Sequence, residues 1–246
     1  MDAIFSRDLF SRDLFSREYV HANMMGPNAL LLAEEVCASL ALKPGMRVLD
    51  LGCGTGLTSM YLASQFGVEV VAMDLWIAAA DNAQRFEEKG MSQQITPLNM
   101  DVADLPHQKP FPENSFDALL NIDSYHYFGA CSSFFDSHLA PVIKPGGRVA
   151  IVVPGLKTPF NQGVPPELAP FWQPEINFFT VDWWRQLWQQ SAFLQIDMCT
   201  ESQCCEQAWL EWLACDNPYA IRDRDMMKAE NGRWFNFTKM TGSINK

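Results

Sequence analysis

Gly52, Gly54 and Gly56 stand in the run Leu-Asp-Leu-Gly-Cys-Gly-Thr-Gly-Leu-Thr that ends at Thr58, spaced for a turn that offers backbone to a ligand. The spacing is G-x-G-x-G. A dinucleotide-binding turn asks for G-x-G-x-x-G, and Leu57 occupies the place of its last glycine. Asp50 precedes the turn and Asp74 closes the next apolar run, so both flanks are acidic. Such a loop is a poor place for phosphate and a good one for a cationic ligand that carries a ribose, whose two hydroxyls can donate to the Asp74 carboxylate.

A second group lies in Asn-Ile-Asp-Ser-Tyr-His-Tyr-Phe-Gly, from Asn121 to Gly129, at the end of an apolar run. His126 is a candidate general base, because imidazole titrates near neutrality, or else a residue that shapes a pocket wall. Asp123 either serves the chemistry and the substrate or caps a helix. Tyr125 and Tyr127 are candidate substrate contacts. Further on, Phe171, Trp172, Phe178, Phe179, Trp183, Trp184 and Trp188 make an aromatic-rich stretch. Most of these rings read as core, with Phe171 and Trp172 expected to reach a planar or cationic ligand. Cys199, Cys204, Cys205 and Cys215 lack metal-ligand spacing, as do His21, His107 and His138, so no metal site is expected.

These residues need a scaffold that holds them at strand ends. Apolar, β-branched runs at 46–51, 68–75, 94–100, 116–123 and 147–154 alternate with helical stretches, which predicts βαβ units and a mainly parallel, doubly wound α/β sheet. The ligand crevice of such a sheet lies outside the carboxyl ends of its strands, where both groups fall. A helix is predicted after Gly26-Pro27-Asn28, and another from a Thr180 N-cap; strands over 194–200 and 233–244 bring the total to seven. The proline-rich segment at about 155–180 reads as a lid-like insertion in a single domain spanning 15–246. Residues 1–14, largely a repeat of Phe-Ser-Arg-Asp-Leu, read as a flexible extension. Tyr19, His21, Asn23, Met24 and Met25 are candidates for a cover over the site.

Composition narrows the partners. A formal charge of −11 disfavours an electrostatic grip on nucleic acid. Seven cysteines, an odd number, fit a reduced cytoplasmic protein, and no apolar run is long enough to span a membrane.

The runs VLDLGCGTG, VVAMDL, NMDVADLP, FDALLNID and IKPGGRVAIVVPG, in this order between residues 45 and 155, resemble the successive motifs of class I S-adenosylmethionine-dependent methyltransferases. The resemblance implies a Rossmann-like seven-stranded sheet in the order 3-2-1-4-5-7-6 with its last strand antiparallel. It implies S-adenosylmethionine as cofactor and methyl transfer to a small molecule. Gly52, Gly54 and Gly56 would hold the methionine and ribose part, and Asp50 would lie near the ammonium group, directly or through water. Asp74 would take the ribose diol, with Leu75 and Trp76 against the adenine. Asp101 and the Val102 amide would meet the adenine edge, and the backbone at Asn121 the ammonium end. A non-catalytic cofactor-binding protein, or a methyltransferase for a macromolecule or metalloid, is the alternative. The acceptor atom and the oligomeric state are left open.

Overall fold

The computed structural model describes residues 15–173 and 176–246; the extension expected over 1–14 lies outside them. Helices α1 (Arg17–Asn23) and α2 (Ala29–Cys37) lead into a sheet alternating with helices: β1 (Arg47–Leu51), α3 (Leu57–Phe66), β2 (Glu69–Asp74), α4 (Ala79–Glu88), β3 (Ile95–Asn99), α5 (Leu105–Gln108), β4 (Phe116–Ile122) and β5 (Ile143–Leu156). The C-terminal part adds β6 (Phe179–Thr180), α6 (Val181–Trp188), β7 (Leu194–Glu201), α7 (Cys205–Leu213), α8 (Pro218–Glu230) and β8 (Phe235–Ile244). Helix starts follow their capping residues: Asn28 accepts from the Leu30 amide at 3.0 Å, Thr180 from Trp183 at 3.3 Å and Asn217 from Tyr219 at 2.9 Å.

The sheet order is β3-β2-β1-β4-β5-β8-β7, with β8 antiparallel to both neighbours and the other pairs parallel. Leaving out the two-residue β6, this is the expected order. The expected count of seven is short by that strand, for a local reason. β4 runs out at Ile122, opposite Val152, while β5 continues to Leu156; the backbone groups left beyond that point pair with Phe179 and Thr180 of β6.

Strand residues point alternately to two cores. Val48, Val70, Ala72, Ala118, Leu120, Ala150 and Val152 face α2, α3, α7 and α8. Leu49, Val71, Met73, Leu119, Val149, Ile151 and Val153 face α5, the π-helical turn at Phe135–Leu139, and α6. With most strands covered on both faces, they read as continuous apolar runs. A third, smaller cluster forms where residues 157–173 and 176–178 fold back over the end of β5 and β8: Leu156, Leu168 and Phe235 are buried there, with Phe160, Trp172 and Phe178 packed against them.

Candidate active site

The glycine turn links β1 to α3. The amides of Gly52 and Cys53 both donate to the Met73 carbonyl, at 2.7 and 3.1 Å, which ties the turn to the end of β2. Gly52 has φ +71°, and a Cβ there would fall 2.0 Å from the Ser124 hydroxyl. No side chain fits between the turn and the end of β4. Gly56 caps the start of α3.

Asp74 organises the other side. One carboxylate oxygen accepts from the Gly54 amide at 2.9 Å; the other accepts from Trp76 at 2.7 Å and Ile77 at 3.0 Å. Asn99 braces the same loop, its amide donating to the carbonyls of Asp74, Leu75 and Ile77. Asn82 reaches from α4 to the Gly54 carbonyl at 2.9 Å.

The segment from Asn23 to Pro27 passes over the turn as a strap. The Thr55 hydroxyl donates to the Asn23 carbonyl at 2.5 Å, His21 pairs with Glu211 at 3.0 Å, and buried Met24 packs against Cys215 of the α7–α8 connection. Between strap, turn and strand ends lies an open cavity of about 1240 Å³, counting the solvent-filled space at its mouth. Its polar walls are the turn itself, Asp74, Asp101, Asp123 and Ser124; Leu75, Trp76, Met100, Val102, Ile122, Tyr127 and Phe128 supply apolar surface. Among the described residues, no Lys, Arg or His lines it.

Asp123 stands directly after β4 with φ +56°, a left-handed conformation that Asp tolerates better than most residues, and its amide donates to the Val152 carbonyl at 2.8 Å. Burial, with the nearby Asp223 charge second, pushes its carboxyl up to about 8. Tyr127 and Trp76 meet edge to face at 5.1 Å and are exposed, 57% and 64%.

The structure thus brings Gly52, Gly54, Asp74, Leu75, Trp76, Asp101, Val102, Asp123 and Tyr127 to one cavity. Other expected site residues are held elsewhere. Asp50 is buried behind the turn, accepting from Thr58 at 2.7 Å and Ser59 at 2.5 Å, so it fixes the first turn of α3; burial raises its carboxyl to about 6. Gly56 packs against Phe86, off the cavity. Asn121 uses its side chain to join the Leu51 carbonyl, Ser124 and the Tyr125 amide beneath the floor.

The expectation that His126 acts as a base needs correction. Its ring is buried against Tyr127 and Phe178, does not line the cavity, and is pushed down to about 3 by burial, so it is neutral and a weak proton acceptor at neutral pH. Tyr125 is likewise corrected from substrate contact to core: it is fully buried among Phe128, Phe134, Trp184 and Trp188. Trp172 packs in the third cluster, and neither it nor Phe171 lines the cavity. Gly26, Ser124 and Met100 were missed. Gly26 next to Pro27 read as a helix signal, and Ser124 and Met100 carry no pattern of their own.

Sheet order, glycine turn and cavity define a class of fold, that of the class I S-adenosylmethionine-dependent methyltransferases. Residues 48–147 match the family model described as a methyltransferase domain. Over 115 residues the chain is 33% identical to the cyclopropane-fatty-acyl-phospholipid synthase of Escherichia coli K12, covering 46% of this chain and 27% of that protein. Over 118 residues it is 34% identical to phosphoethanolamine N-methyltransferase 1 of Arabidopsis thaliana, covering 48% and 23%. The chain thus spans about a quarter of the length of these curated relatives. Among solved structures, phosphoethanolamine N-methyltransferase 2 of Haemonchus contortus, in complex with phosphomonomethylethanolamine and S-adenosylhomocysteine, superposes with a TM-score of 0.71 at 17% identity, covering 98% of this chain and 60% of that one. Geranyl diphosphate C-methyltransferase of Streptomyces coelicolor A3(2) gives 0.69 at 16% identity, covering 88% and 77%. No helix among the described residues is long and apolar enough to cross a membrane.

Proposed function

We propose that this chain is an S-adenosylmethionine-dependent methyltransferase for a small-molecule acceptor, working as a cytoplasmic enzyme that does not bind nucleic acid. The observation that carries this reading is the cavity at the strand ends: a glycine turn, apolar walls and carboxylates, with no cation among the described residues to meet a phosphate. That is a donor set for a cationic nucleoside. Bound there, the cofactor supplies an electrophilic methyl group on sulfur.

The residues divide the work. Backbone at Gly52 and Gly54 leaves room for the amino-acid end. Asp74, held rigid by three amides, keeps lone pairs for a ribose diol. Leu75, Met100 and Val102 offer apolar surface to the base, with Asp101 at its polar edge. Asp123 and Tyr127 stand after β4 on the acceptor's side and, with the strap, limit access of water. The acceptor enters past Trp76 and Tyr127, and the segment about 155–180 acts as an insertion that buttresses this end. The acidic chain, with its free cysteines, agrees with a small substrate in a reducing compartment.

The test is release of S-adenosylhomocysteine from S-adenosylmethionine with fractionated small-molecule extracts, with Asp74→Ala as control. Turnover with one fraction that disappears in the control is expected. Cofactor binding with no turnover on any fraction would sink the small-molecule assignment.

A further inference from the structure

Charge in the cavity is one-sided, and the carboxylates differ in what they are tied to. Asp74 accepts from three amides and Asp101 from the Ala103 amide at 2.9 Å. The Asp123 carboxylate has no hydrogen-bond partner among the described residues and faces the cavity. Gly26 of the strap makes room for it: a Cβ at that position would lie 2.6 Å from its Oδ2. Exposed Trp76 and Tyr127 present ring surface on the same cavity.

We propose, building on the methyltransferase reading, that the acceptor is an amine that arrives as a small cation, held between the Asp123 carboxylate and the Trp76–Tyr127 ring pair. Acceptors headed by phosphate or carboxylate are excluded. A carboxylate without a partner in a half-buried site is satisfied best by a charged N–H donor, and ring faces attract the same cation. An anion placed there meets three aspartates and, among the described residues, no lining cation. Arg222 of α8 is exposed and outside the lining; its guanidinium lies over the Tyr219 ring at 5.4 Å.

The same carboxylate does the proton work. An N–H bond of the ammonium breaks and its proton passes to Asp123, leaving the electron pair on nitrogen. Nitrogen then bonds to the methyl carbon as the carbon–sulfur bond breaks, its pair staying on sulfur. The product is an N-methylammonium with a neutral thioether, and Asp123 returns its proton to solvent. In the empty site burial, with the Asp223 charge from α8 second, keeps Asp123 protonated up to about pH 8; a bound cation favours its ionised form, which then takes the ammonium proton, while Tyr127 and Arg222 are the other titratable and charged groups of this corner.

The test uses the full chain saturated with S-adenosylhomocysteine and three calorimetric probes of similar shape: 2-phenylethylammonium, the neutral 2-phenylethanol and 2-phenylethylphosphonate. The cation is expected to bind at least about tenfold more tightly than the phosphonate, and more tightly at pH 9 than at pH 6.5. Asp123→Asn, which keeps a residue suited to φ +56°, is expected to weaken the cation about tenfold or more and to leave S-adenosylhomocysteine within about twofold. Gly26→Ala, by crowding the carboxylate, weakens the cation in the same direction. Equal binding of the phosphonate, cation binding unchanged in Asp123→Asn, or an equal loss of S-adenosylhomocysteine in that variant would overturn the assignment. Failure of S-adenosylhomocysteine to bind the wild-type chain would instead overturn the methyltransferase reading beneath it.

Discussion

The two halves of the cavity are built on different principles. On the side of β1 to β3, polar groups are tied to fixed partners: Asp50 to two side-chain hydroxyls, Asp74 to three backbone amides, Asn99 to three backbone carbonyls. On the side of β4 to β8, several buried polar atoms lack partners. His126 Nδ1, the indole nitrogen of Trp184, both amide atoms of Asn236 and the Thr238 hydroxyl have none among the described residues. The first half is preorganised for one ligand by its own hydrogen bonds. The second rests on apolar packing, with polar atoms that carry a desolvation cost.

The largest effect expected from this contrast is at Asp74. Removing its carboxylate frees three amides and removes the proposed ribose contact, so Asp74→Ala should weaken S-adenosylhomocysteine binding by at least about 100-fold in calorimetry, close to 3 kcal/mol. A loss under about fivefold would mean the loop holds its shape without this anchor and would break the comparison. Next comes Gly52→Ala, where a Cβ must displace the Ser124 hydroxyl from a backbone at φ +71°. A stability loss of about 2–3 kcal/mol in denaturant titration is expected, with weaker cofactor binding.

The same contrast explains what could be read in the amino-acid sequence. Strands β1 to β5, the glycine turn and Asp74 were legible because local rules dictate them: apolar runs, glycines where side chains cannot fit, and a carboxylate at a strand end. The last strand and α6 were legible for similar reasons. Helix α8 was not, because only Ala220 and Glu230 of its residues are buried, and a helix so exposed leaves no apolar stripe. The roles of His126 and Tyr125 were misread because neighbours in sequence alternate between cavity and core. Asp123 and Tyr127 face the ligand space, while Tyr125 and His126 in the short helical turn between them point into aromatic packing. Position at a strand end identified the segment, and side-chain direction within it required the fold.

Two titrating groups that follow β4 shift in opposite directions and give this half two separate pH responses. Asp123 is raised to about 8 from the ordinary carboxylate value, so the folded state binds the extra proton. Its contribution to stability is present below about pH 4 and is lost as pH rises through about 8. His126 is lowered to about 3, so the unfolded state binds the extra proton below the usual imidazole value. Its contribution to stability is lost as pH falls from about 6.5 toward 3. Asp123→Asn should therefore flatten the alkaline decline, and His126→Gln the acid one, each by about 2 kcal/mol in denaturant melts at the affected pH. His126→Gln should leave S-adenosylhomocysteine formation unchanged at pH 8. A large loss of turnover there would return the imidazole to the reaction.

The smallest effect tests whether the orphaned polar atoms of the β8 side are a cost the chain carries for function. Thr238 is fully buried, lies opposite Val153 on the face that packs against α6, and its hydroxyl has no partner. Gly155 opens the space beside it, since a Cβ there would approach the hydroxyl at 3.2 Å and Asn236 at 3.0 Å. Valine keeps the branched shape and removes the polar atom, so Thr238→Val should raise stability by about 1 kcal/mol with cofactor affinity unchanged. If the variant is instead destabilised, a bound water satisfies Thr238 and Asn236, and this half is as fully hydrogen-bonded as the first. The two halves would then differ only in whether protein or solvent supplies the partners.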